Sequence, residues 1–76
     1  MKLSDEQKSR QFATFEQLLS AGVDPVHVVN LVESYVESLV ELLAGPLIPE
    51  NAELTRAYIQ SGEEYLKALK TKFMLG

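Results

Sequence analysis

Cysteine and tryptophan are absent from this 76-residue chain. Without cysteine there can be no disulfide and no thiolate zinc site, and nothing implies an oxidising compartment. Glycine is scarce: four scattered residues cannot build a phosphate-binding loop or a dinucleotide fingerprint. Histidine occurs once, at His27, in what reads as a first helical turn with no glycine-rich elbow beside it. A Ser or Lys nucleophile therefore lacks an oriented base, and no Glu-x-x-His pair exists to build a di-metal site in a helical core. No catalytic, cofactor-binding or metal-ligating set emerges, and the chain reads as noncatalytic.

Positive charge is also missing from the middle. Between Gln11 and Thr55 there is no Lys or Arg, while Glu16, Asp24, Glu33, Glu37, Glu41, Glu50 and Glu53 all fall there. The net charge of -4 opposes direct nucleic-acid binding, which depends on phosphate neutralisation by basic side chains. A long apolar run is lacking too. The greasiest segment is interrupted by His27, Asn30 and three glutamates, which excludes a membrane span. A membrane-surface helix would want Lys and Arg on its polar face, and acids stand there instead. The opening MKLSDEQKSR has no apolar stretch after Met-Lys, so a cytoplasmic setting is expected.

Hydrophobic residues make up 46% of the chain and charged residues 24%, a globular composition that suits one domain over 1–76. A chain this short buries only about 60% of its unfolded surface, so a partner or a second copy is the expected supplement to its core.

Three helices and no strands are predicted, over about 5–21, 25–44 and 51–73. Ser4 to Gln7 form a capping box, and Gly22 supplies the left-handed residue after the first helix. Upstream of Phe12 that helix has little to bury, so its first two turns are expected to fray. Asp24 caps the second helix with Pro25 at N1, and Val23 and Val28 are spaced as a hydrophobic staple. Gly45-Pro46 ends it. Leu47 and Ile48 in the short linker are expected to tuck under the bundle.

Phase argues for one continuous third helix, because Leu54, Tyr58, Ile59, Tyr65, Leu66, Leu69 and Phe73 share an arc of about 140° through Gly62. Gly62 then lies mid-arc, where a missing side chain permits close helix approach.

The second helix is two-faced. Glu33, Glu37 and Glu41 span about 80°, and Asn30, Ser34, His27 and Ser38 widen that polar arc to about 140°. The opposite half is apolar. Only Val26 falls on the polar side. These patterns predict an all-α fold, a small antiparallel three-helix bundle or helical hairpin with the second helix central, associating as a homodimer. Basic chain ends are expected to lie against acidic helix ends within one molecule.

The expected function is a noncatalytic protein–protein interaction module, such as an adaptor, small subunit, assembly factor or regulator. Its partner or oligomer interface is expected at Val32, Tyr35, Val36, Leu39, Leu42, Tyr58, Gly62 and Tyr65. The alternative uses the stripe Glu33, Glu37 and Glu41 as a decoy or docking strip for the basic surface of a nucleic-acid-binding protein.

Overall fold

The computed structural model describes residues 2–75. Its elements are α1 (Asp5–Ser20), α2 (Pro25–Ala44) and α3 (Pro49–Lys72), with no strand among the described residues. The chain folds up-down-up into a bundle of 39 × 23 × 19 Å.

Local chemistry sets the helix ends. The Ser4 hydroxyl accepts the Gln7 amide, and the Gln7 side chain accepts the Ser4 amide in return. Gly22 adopts φ +89° after α1, and the amides of Gly22 and Val23 close back on Leu19 and Leu18. Asp24 caps α2 by accepting the Val26 amide at 2.9 Å. α3 begins two residues before the expected Asn51. Pro49 takes N1, where its missing N–H costs nothing. The N-cap is Ile48, which has no side chain able to cap.

α3 runs unbroken through Gly62, as its phase requires. A Cβ on Gly62 would lie 2.9 Å from Val36 Cγ2, so the glycine marks where α2 and α3 press together. This close seam changes which side chains are buried. α2 contributes the valines Val28, Val29, Val32 and Val36, while α3 contributes mainly small residues, Thr55, Ala57, Ser61 and Gly62, with Leu69. The large apolar residues of α3 expected at the centre, among them Leu54, Tyr58, Ile59 and Leu66, are only half-buried. Helices this close leave room for valine against glycine and push leucine and tyrosine to the flanks. Full burial of Val28 and Val32 stabilises by roughly 1.5–3 kcal/mol each.

α1 crosses the other two helices at one end. Phe15, Leu18 and Leu19 pack on the valine core with Val23, Leu69 and Phe73. Leu3, just before the α1 cap, is buried. Leu3 and Lys8 border Ala57 and Ser61 around a depression of about 190 Å³. Beyond that point α1 does not reach. Leu39, Leu43, Leu47 and Leu54, toward the α2–α3 corner, are half-buried yet outside the core cluster. No helix among the described residues is long and apolar enough to cross a membrane.

Candidate interaction surface

The expected interface residues divide by where α1 lies. Val32 and Val36 are buried in the α2–α3 seam, and Gly62 is the seam itself. The three tyrosines line the groove that receives α1. Gln11 donates from Nε2 to the Tyr35 hydroxyl at 2.8 Å and to the Tyr58 carbonyl at 3.0 Å. Its other amide atom, Oε1, is buried with no hydrogen-bond partner. Phe12 stacks on Tyr65 with ring centroids 4.0 Å apart and planes 11° from parallel. Phe15 tilts against Tyr35 and Tyr65. The Tyr65 hydroxyl donates to Glu16 at 2.6 Å. Burial, and then the Glu16 carboxylate as acceptor and neighbouring negative charge, raise the Tyr65 pKa well above the ordinary value.

Six of the eight residues thus serve contacts inside one chain. Leu39 is half-buried and Leu42 is 52% exposed. Ile48, at the corner that follows α2, is 60% exposed, while Val40, 49% exposed, is two residues before Leu42 and so points to the other side of the helix. Leu47 is half-buried, but Ile48 does not tuck under the bundle. The result is an aliphatic corner where α2 and α3 outrun α1. Sequence reasoning missed Ile48 and Val40 as surface residues. The signal available was an apolar, noncapping residue directly before Pro49, which no local helix chemistry favours.

The acidic stripe is also divided. Glu33 is half-buried and sits 3.8 Å from Lys70 of α3. The basic end of α3 thus meets an acid in the middle of α2, not at a helix end as expected, and a largely solvated pair of this kind contributes at most about 1 kcal/mol. Glu37 and Glu41 are exposed, as is His27. No group of three or more His, Asp or Glu among the described residues is placed to hold a metal ion. Comparison with protein-family models, with characterised proteins and with solved structures gave no match.

Proposed function

We propose that this chain is a noncatalytic protein–protein interaction module, an adaptor, small subunit, assembly factor or regulator, that self-associates as a homodimer. The observation that carries this reading is the exposure of Leu42 in the last turn of α2 and of Ile48 at the corner that follows, beyond the reach of α1. Isolated exposed leucines are ordinary on protein surfaces, but neighbouring ones at the end of a hairpin form a patch that a partner can cover. Ile48 adds a second line of support. An N-cap is normally Ser, Thr, Asp or Asn, and an aliphatic residue there forgoes about 1 kcal/mol. Its burial within the chain does not offset that loss, and burial against a partner does.

The acidic-strip alternative has no observation of its own: Glu33 stands 3.8 Å from Lys70 of the same chain, and the exposure of Glu37 and Glu41 is ordinary for solvated acids.

Ile48→Asp separates function from stability. The new carboxylate caps α3 and raises stability by about 1 kcal/mol, while placing a charge in the patch. The expected outcome is a higher urea midpoint together with loss of partner proteins retained by the wild-type chain in affinity capture. Leu42→Asp should lose the same partners. Retention of every partner by both variants would remove the corner as the contact surface.

A further inference from the structure

The corner is one of two surfaces that α1 leaves open. α1 reaches α3 through Tyr58 and Tyr65, while Leu3 ahead of it borders Ser61, three positions on one side of the α3 wheel. On the other side of Gly62, Arg56, Ile59, Glu63, Leu66, Lys67 and Lys70 share an arc of about 100°. The contact between Lys70 and Glu33 continues this face onto α2. There Val40 lies on the wheel between Val36 and Glu33, and Val26 lies among the acids.

We propose that a second copy of this chain docks on the α2–α3 face opposite α1, about a two-fold axis parallel to the helices, so that the acidic edge of α2 in each copy meets the basic edge of α3 in the other. This rests on the self-association proposed above, and gives the second copy this face while leaving the corner to other partners.

The face has an apolar floor and charged edges of opposite sign. Val26 and Val40 are each 49% exposed on α2, and Ile59 and Leu66 are half-buried on α3. Leu66, Thr71 and Met74 line a depression of about 630 Å³ whose remaining rim is Glu63, Lys67 and Lys70. Met74 is 89% exposed, held there by a left-handed turn at φ 56° in which the Leu75 amide returns to Lys70. Along α2 the edge carries Glu33, Glu37 and Glu41. Along α3 it carries Arg56, Lys67 and Lys70, with one acid, Glu63, on the wheel between Lys70 and Arg56.

Symmetry then decides between two ways of stacking such faces. A two-fold axis across the helices lays α2 on α2 and α3 on α3, acid over acid and base over base. An axis along the helices lays α2 on α3 in both halves of the interface and keeps each residue at its own level. Within the chain Glu33 is level with Leu66 to Lys70, and Val36 with Gly62, so Glu41 is level with the turn around Ala57. The second copy therefore brings Lys67 opposite Glu33 and Arg56 opposite Glu41, each contact made twice. Val26 comes over the depression beside Thr71 and Met74, which accounts for a valine placed among acids. The middle is less favourable, since Glu63 arrives near the level of Glu37. Charge complementarity selects this arrangement over its alternative.

Charge reversal in two separate chains tests it. Glu41→Arg alone, and Arg56→Glu alone, each set like charges opposite one another twice and should weaken the dimer about tenfold in sedimentation velocity at low salt. An equimolar mixture of the two variants restores both contacts in the mixed pair, so a one-to-one heterodimer of wild-type affinity is expected. Circular dichroism checks that each variant remains helical. A mixture that stays as weak as its components overturns the proposed face. A dimer untouched by either reversal but dissolved by Leu42→Asp also overturns it and moves the second copy to the corner, with self-association intact. A wild-type chain that is monomeric throughout overturns both.

Discussion

Gly62 is the residue on which the packing turns. Alanine there would gain about 1 kcal/mol of helix propensity. Its Cβ, however, would meet the buried Val36 Cγ2 at 2.9 Å, and a β-branched side chain in a helix has one strongly preferred rotamer. Overpacking of this kind costs about 1–3 kcal/mol, so Gly62→Ala should be net destabilising by about 1 kcal/mol in urea titration. Val36→Ala in the same chain removes the clashing methyls, so the double variant should be less destabilised than the two single losses combined. Tyr65 offers a pH test. Folding raises its pKa, first by burial and then through Glu16, so the protonated phenol is the form the fold prefers. That stability is complete below the ordinary tyrosine value of about 10 and is lost as pH rises through the raised one. Wild type should therefore lose more stability between about pH 8 and pH 11 than Tyr65→Phe, which keeps the ring stacked on Phe12. An equal loss in both would show that the Tyr65 hydroxyl is not linked to folding.

Among the elements, α2 and α3 form the structural hairpin and α1 is an added strap. α1 is held by Leu3 at one end and Phe12, Phe15, Leu18 and Leu19 along its length, with most of its other side chains exposed. Its amides should exchange with solvent faster than those at the Val32–Val36 turn of α2, measured residue by residue by hydrogen exchange. Equal protection in all three helices would contradict this hierarchy. The helices themselves were legible in the sequence because caps are local. Ser4-x-x-Gln7, Gly22 and Asp24-Pro25 each act within four residues of their own position. α3 starts two residues before the expected Asn51 because Pro49 is suited to N1, and only the observed backbone shows that the helix begins there. Burial on α3 was less legible. The apolar phase of Leu54 to Phe73 located the right face, but the interaxial distance decides whether leucine or glycine occupies its centre. That distance depends on Val36 meeting Gly62, a contact between distant parts of the chain. The tyrosines were read as partner anchors for the same reason: nothing local says that α1 will lie across them.

At the scale of the whole molecule, the fold is a hairpin with one covered face and two open surfaces. Val26, Val40, Leu42, Ile48 and Met74 are apolar and largely exposed. The covered face is held by side-chain pairs between distant parts of the chain, and the open surfaces coincide with features those pairs leave unused: the valine among acids, the aliphatic N-cap, and the segregated charges. The self-association proposed above joins them. Because the charged edges lie at the rim of the face opposite α1, raising salt should weaken the dimer without unfolding the helices. The most direct measurement is the molar mass of the wild-type chain by light scattering on a sizing column at micromolar concentration and low salt. The account predicts twice the 8.5 kDa of one chain, falling toward 8.5 kDa on dilution or at high salt. A constant 8.5 kDa across all concentrations, with a cooperative thermal melt, would contradict it.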